Sequence, residues 1–374
     1  MKKRATAAAL LLVPLVAASG SGTASAAGTR GRVTPSAVKT KANSANVTLD
    51  GAGASSIEPF YSAVFAAYEK ANPSVTINYD PAGSSVGVTD IEQGTVNFGD
   101  SEIPMASSDL DKAKGKVGNV LQMPVDLGGV AISYNVPGAP DDLKLNAQVL
   151  AGIYDGTITN WDNKEIAEAT GVKNLPNLPI VAVHRSDTSG PGWDLDQYLI
   201  DDSPSWVKTI GTTAPSKAWP LPTVGIGEDL NAGVATYIGQ TKGAVGYIEY
   251  AYARKAHYDV AALLNASRQY VAPDFQTIEA AGKKATKLSW SNFDIVNEPG
   301  KATYPLTNFS WALIDQKQSN VVVGEALKAL FSYVISTGQK DANALGYALL
   351  PKVAIGIGDL TLSELENGSG QPLT

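Results

Sequence analysis

The chain has 374 residues, 29 basic against 36 acidic side chains, a net charge of −7 and no cysteine. That inventory excludes disulfides, thiolate chemistry and a lipid-modified cysteine, and its acidity disfavours nucleic acid and anionic lipid as partners. With two histidines in the chain, a metal centre would have to rest almost wholly on carboxylates, so none is expected and no cofactor is called for.

Lys2, Lys3 and Arg4 precede an apolar run from Ala5 to Ala18 and small residues ending Ala24-Ser25-Ala26. This reads as a signal peptide over 1–26, which predicts export to a periplasmic or extracellular space without a lipid anchor. Its removal takes three basic and no acidic residues, leaving 26 against 36, a net −10. Residues 27–46 are polar and lack apolar periodicity, as a flexible tether would.

Val47-Thr48-Leu49 reads as a strand, and Phe60, Val64, Phe65 and Tyr68 recur at helical spacing. Val75 to Tyr79 alternates as a strand, Val88 and Ile91 begin a helix, and Thr95 to Phe98 is extended, ending at Gly99-Asp100-Ser101-Glu102. This βαβαβ order favours a parallel sheet with ligands at the carboxyl ends of its strands. Gly128-Gly129, a hinge candidate, leads into a buried strand, Val130 to Tyr134; a helix follows near Val149 to Tyr154. Ile180 to Val183 is a strand, Ala232 to Ile238 a helix, Val245 to Tyr250 a strand, and Val321 to Ser336 an amphipathic helix.

Three segments place glycines and hydroxyls where a strand passes into a helix: Gly51-Ala52-Gly53-Ala54-Ser55-Ser56, Gly83-Ser84-Ser85-Val86-Gly87, and Arg185-Ser186-Asp187-Thr188-Ser189-Gly190. A helix start has N–H groups without partners and a positive dipole end, small residues let an anion come close, and hydroxyls add donors. Together they predict a site that wraps a small oxyanion. Arg185 is then a guanidinium fork oriented by Asp187, or, in the plainer reading, half of a surface ion pair. Glu102 is a solvated loop charge or, within an anion site, a hydrogen-bond acceptor.

Two other motifs lead elsewhere. Gly51-Ala52-Gly53 lacks the third glycine of a dinucleotide fingerprint, which is Ser56 here. Gly83-Ser84-Ser85-Val86-Gly87 fits a nucleophile elbow on Ser85, with Asp187 and His257 in hydrolase order, but no His-Gly-Gly-Gly oxyanion loop accompanies it. The chain is therefore expected not to be an enzyme.

From Thr48 to Pro351 the chain resembles the exported phosphate-binding protein of the phosphate ABC transporter. The resemblance rests on the three turns, Pro59-Phe60-Tyr61, Thr95-Val96-Asn97-Phe98-Gly99, Gly128-Gly129-Val130, Ile158-Thr159-Asn160-Trp161-Asp162 and Gly243-Ala244-Val245-Gly246-Tyr247-Ile248-Glu249-Tyr250. It implies an α/β, two-lobed periplasmic-binding-protein-like fold with a ligand cleft between lobes. The first lobe would take 47–127 and 261–374, and the second 128–260. It implies a monomer that binds inorganic phosphate and delivers it to an ABC transporter permease. Ser55, Ser56 and Ser84 would donate from one lobe and Arg185, Ser189 and Gly190 from the other, with Asp187 orienting Arg185 and Glu102 accepting.

Three features depart from that pattern. Ser55-Ser56 stands where the family often has Thr-Phe, and Glu102 where it has aspartate; an ionised Glu102 accepts from protonated phosphate and repels sulfate. Pro191 replaces a threonine after Ser-Gly and has neither its N–H nor its hydroxyl. It suits a first helical turn, so the helix should persist while the site loses donors. Phosphate binding should be weaker, or the ligand different; the alternative is a secreted scavenger or interaction module with an altered or lost site.

Overall fold

The computed structural model describes residues 46–213 and 219–374. The expected signal peptide, and the tether up to residue 45, lie outside the described residues. Residues from Ala45 to Thr374 form one compact unit.

The chain begins with β1 (Val47–Gly53), α1 (Glu58–Ala71), β2 (Val75–Asp80), α2 (Ser84–Gln93), β3 (Phe98–Ser101), α3 (Ser107–Lys116) and β4 (Val120–Pro124). Then come β5 (Gly128–Tyr134), β6 (Lys144–Leu145), α4 (Ala147–Tyr154), α5 (Lys164–Thr170), β7 (Val181–Arg185), α6 (Gly190–Asp202) and α7 (Pro204–Ile210). β8 (Ile226–Glu228), α8 (Leu230–Gln240), β9 (Ala244–Glu249), α9 (Tyr250–Ala256), β10 (Asp259–Val260), β11 (Ala262–Leu264), β12 (Tyr270–Val271), α10 (Phe275–Gly282) and β13 (Thr307–Asn308) follow. β14 (Trp311–Asp315), α11 (Val321–Val334), α12 (Ala342–Leu345) and α13 (Lys352–Ser363) lie near the C-terminus.

These strands build two principal sheets. The first has the order β2-β1-β3-β14-β4, the second β10-β5-β9-β7-β8 with β13 added against β5. β1 pairs in parallel with both β2 and β3, as the βαβαβ order predicts, while β14 runs antiparallel to β3 and β4. β7 pairs in parallel with β8 and β9, and β5 antiparallel with β9.

The chain passes between the sheets twice, from β4 to β5 and from β13 to β14. The two passages are stitched together: Val125 N donates to Ser310 O at 2.9 Å, and Ser310 N to Asp126 Oδ1 at 2.8 Å. Gly128 and Gly129 are buried within β5 rather than free between the sheets. A Cβ on Gly128 would lie 2.5 Å from Glu249 Oε1, so this glycine answers to close packing. The return passage falls after residue 308, because β11 pairs with β6 and β13 with β5. Of the strands after residue 261, β13 joins the second sheet, while β11 and β12 form with β6 a separate three-stranded sheet.

The edges of the first turns also differ from expectation. Residues 94–97 close α2 rather than extend: Gly94 is left-handed at φ 65°, and Thr95 N donates to Asp90 O at 3.0 Å. The strand proper starts at Phe98.

Aromatic packing fixes the backs of both sheets. Behind β1 and β3, Tyr61 stacks on Phe65 at 4.4 Å, and Phe98 meets Phe331 edge-on at 5.2 Å. Behind β7 and β9, Trp219 lies 5.2 Å from both Tyr154 and Tyr247. Such pairs bury large apolar areas and leave few alternative packings, which holds the carboxyl ends of the strands in register.

Candidate functional site

The site forms where the carboxyl ends of β1, β3, β7 and β9 approach one another. On the first-sheet side, α2 comes unusually close to the strands. A Cβ on Gly87 would lie 2.4 Å from Asp100 O and 2.8 Å from Ala52 O. Gly53 has φ 151°, and a Cβ there would meet Asp100 O at 2.1 Å. The glycine pattern that resembled a dinucleotide fingerprint is therefore a packing requirement, and it seats the start of α2 directly on β1 and β3.

Ser55 and Ser56 precede α1, Ser84 opens α2, and all three are buried. Ser84 Oγ accepts from Glu102 N at 3.4 Å. Ser55 Oγ accepts from Asn231 Nδ2 at 3.2 Å. The carbonyls of Ser55 and Ser56 accept from the hydroxyls of Tyr252 (2.9 Å) and Tyr347, respectively. Ser56 Oγ has no hydrogen-bond partner among the described residues, although it stands close enough to the Glu102 carboxyl to favour its ionised form.

On the second-sheet side, Arg185 ends β7 and is 2 % exposed, so the surface-pair reading fails. Its Nε donates to Asp187 Oδ1 at 2.6 Å and its Nη2 to Asp187 Oδ2, a bidentate fork. Asp187 is held in turn by Leu230 N at 3.2 Å, and Arg185 N donates to Tyr247 Oη at 2.9 Å. Nη1 of Arg185 is left buried with no partner among the described residues. Ser189 caps α6, its Oγ accepting from Gly192 N at 3.2 Å, and Pro191 sits in the first turn without breaking the helix.

The two sides touch. A Cβ on Gly190 would lie 2.2 Å from Glu102 Cβ and 2.4 Å from Glu102 Oε2, and one on Gly83 2.9 Å from Asp187 Oδ2. The longer side chain of Glu102 fits because position 190 has none. Ser55, Ser56, Ser84, Glu102, Arg185, Asp187, Ser189 and Gly190 are thus brought to one buried locus.

Acidic and amide residues that sequence reasoning did not select join them. Asn308 Nδ2 donates to Glu102 Oε1 and to Asp194 Oδ2, each at 2.9 Å. Gly129 N donates to Glu249 Oε1 at 2.9 Å, and Glu249 N to Asn231 Oδ1 at 2.8 Å. Burial pushes Glu102 up to about 8, with Asp126 adding to the rise and Ser56, Arg185 and Asn308 opposing it. Burial also lifts Asp126 to about 7, against the hydrogen bonds from Ser310. Asp100, Asp194 and Glu249 are raised well above the usual carboxylate range, each by burial first and then by neighbouring carboxyls. Asn231 carried no sequence signal, since Leu230 before it takes φ 57°, a conformation unusual for leucine. Asp194 carried a faint one, an acid within a largely buried helix.

The nucleophile-elbow reading finds no support in this geometry. Ser85 is exposed, and it and His257 line separate cavities. Buried His184 turns Nδ1 to Arg185 O at 3.0 Å. No group of three or more metal-ligating side chains occurs among the described residues.

Two α/β sheets joined by a double passage, with helix starts and one guanidinium converging between them, define a solute-receptor architecture. Residues 18–337 match the PBP superfamily domain, and the chain belongs to that family. It is 36% identical over 323 residues to the phosphate-binding protein PstS of Xylella fastidiosa, covering 85% of this chain and 84% of that one. It is 32% identical to PstS of Methanocaldococcus jannaschii, over 78% and 79% of the two chains. Among solved structures, it shares its fold with PfluDING, a high affinity periplasmic phosphate-binding protein with phosphate bound (TM-score 0.67, 20% identity, 88% of this chain and 100% of that one). A phosphate-binding protein from Stenotrophomonas maltophilia is similar at TM-score 0.66 and 18% identity, over 83% of this chain and 92% of that one.

Proposed function

We propose that this protein is an exported receptor that binds inorganic phosphate between two lobes and delivers it to an ABC importer, without catalysis. The observation that carries the reading is Arg185. Two of its nitrogens are committed to Asp187 and the third is buried unpaired beside the helix starts. A buried guanidinium with a spare donor has a strong need for an anionic acceptor. Ser56, Ser84, Ser189 and the start of α6 supply further donors to the same anion, and Ser55 does so through the hydroxyl proton its two contacts with Asn231 leave free. The phosphate-binding names of the relatives support the choice of anion, and the resemblance to the binding protein of the phosphate ABC transporter implies a permease as partner to a monomeric receptor.

Calorimetric titration of the ligand-stripped protein with phosphate tests this. Saturable one-to-one binding is expected, weakened at least about 100-fold in Arg185→Ala, in line with ~3 kcal/mol or more for a buried charged donor. Pro191 favours a second reading, an altered site, because the first turn of α6 lacks one N–H. Absence of phosphate binding by the folded protein would decide for it.

A further inference from the structure

Asn231 is buried at the start of α8, with its side-chain amide and its backbone N–H all engaged. Oδ1 accepts from Glu249 N at 2.8 Å, and since only oxygen can accept there, the amide is fixed with Nδ2 facing away from β9. Nδ2 and the backbone N both donate to Ser55 Oγ, at 3.2 and 3.4 Å. Asn231 belongs to the second-sheet side and Ser55 follows β1 of the first sheet, so these bonds cross the cleft. Tyr252 Oη, from α9, donates to Ser55 O at 2.9 Å. Ser55 is thus gripped from the second-sheet side at two of its atoms.

The backbone that aims these donors is strained. Leu230 opens α8 at φ 57°, in the left-handed region that leucine seldom adopts, and Asp229 before it makes no side-chain cap. The first two N–H groups of the helix turn instead to separate partners: Leu230 N donates to Asp187 Oδ1 at 3.2 Å and Asn231 N to Ser55 Oγ. Asp187 is the carboxylate that orients Arg185. One turn therefore holds an anion donor from the first-sheet side and the support of another on the second. Strain of this kind persists only where the surrounding structure imposes it.

A hydroxyl has two lone pairs and one hydrogen. With two donors from Asn231 on Ser55 Oγ, its hydrogen is left to be donated, and no described residue accepts it. We propose that Asn231 is a positioning residue for anion binding: as the lobes close it fills the acceptor sites of Ser55 and turns that hydroxyl into an obligate donor to phosphate. The first-sheet donor is then made conditional on closure, by a residue that does not itself touch the anion. With the lobes apart, Ser55 Oγ would bond to water in either sense and lose that aim. The inference rests on the phosphate-receptor reading above.

The test is a double-mutant cycle read by calorimetric titration of the ligand-stripped full chain with phosphate, each variant checked for folding by thermal melt. Asn231→Ala and Ser55→Ala should each weaken binding about tenfold. The double variant should be less than about twofold weaker than either, because both changes remove the same donor. In Asn231→Ala the loss should lie in faster phosphate release, with the association rate little changed. Losses that multiply in the double variant would overturn the proposal, and so would unchanged affinity in Asn231→Ala. If Asn231→Ala does not fold, hydrogen exchange in the wild-type protein decides. Asn231 N–H has Ser55 Oγ as its acceptor, so saturating phosphate should slow its exchange at least about tenfold. Exchange at that amide indifferent to phosphate would refute the dependence on closure. A wild-type protein that binds no phosphate would remove the receptor reading itself, whereas binding with multiplying losses removes only the role of Asn231.

Discussion

The two banks of the cleft reach the same locus by different physics. The first-sheet bank is shaped by contact: Gly53, Gly87 and Gly99 let α2 rest on β1 and β3, and its serines project from backbone that has no room to move. The second-sheet bank is shaped by charge: a buried guanidinium is aimed by one carboxylate, which a backbone N–H holds in turn. The difference teaches where each kind of error would show. A fault in the first bank should appear as lost stability, and a fault in the second as lost affinity.

Gly87→Val breaks the first bank most severely. Its Cβ would fall 2.4 Å from Asp100 O, a backbone atom that cannot swing aside. A loss of about 3 kcal/mol or more in denaturant unfolding is expected, and unfolding at wild-type denaturant would refute the packing account. In the second bank, Asp187→Asn leaves the fold intact but spoils the fork, since an amide nitrogen faces the guanidinium. Phosphate affinity should fall about 10- to 30-fold, roughly 1.4–2 kcal/mol, with little change in melting temperature. A matching loss of stability would erase the distinction between the banks.

A third variant sharpens the comparison inside the second bank. Asp196 lies on α6 behind the site, 1 % exposed, accepting from Trp206 Nε1 at 2.5 Å. Burial pushes it up to about 7. Because its folded value exceeds the unfolded one of about 4, the folded state gains stability from the proton below pH 4 and loses it as pH rises toward 7. Asp196→Asn should therefore be more stable than wild type at pH 8, on the order of 1 kcal/mol, and about equal near pH 4. Parallel melting curves at both pH values would show that Asp196 is not the cause.

The residues legible in the sequence are those whose roles are local. Ser84 opens a helix, Ser189 caps one and Asp187 stands two residues from Arg185, so strand-to-helix patterns reveal them without knowledge of the fold. The parallel core of the first sheet followed from the same local signals. Asn231, Asn308, Asp194 and Glu249 were hidden because distant pairings bring them in. Asn308 meets Glu102 across 206 residues, and only the pairing of β13 with β5 places it there. The short strands β10, β11 and β13 were illegible for the same reason, since their partners β5 and β6 lie far back in the chain.

The stitched double passage has a mechanical consequence. Two extended segments bonded side by side make a ribbon, which flexes readily across its thin dimension and resists shear in its own plane. Relative motion of the two sheets would then be a swing about one axis rather than a general loosening. Asp126 lies on that axis, bonded to Ser310 in the partner segment. Its carboxyl would stay nearly fixed relative to both banks throughout the swing, a fixed point against which the moving groups are displaced.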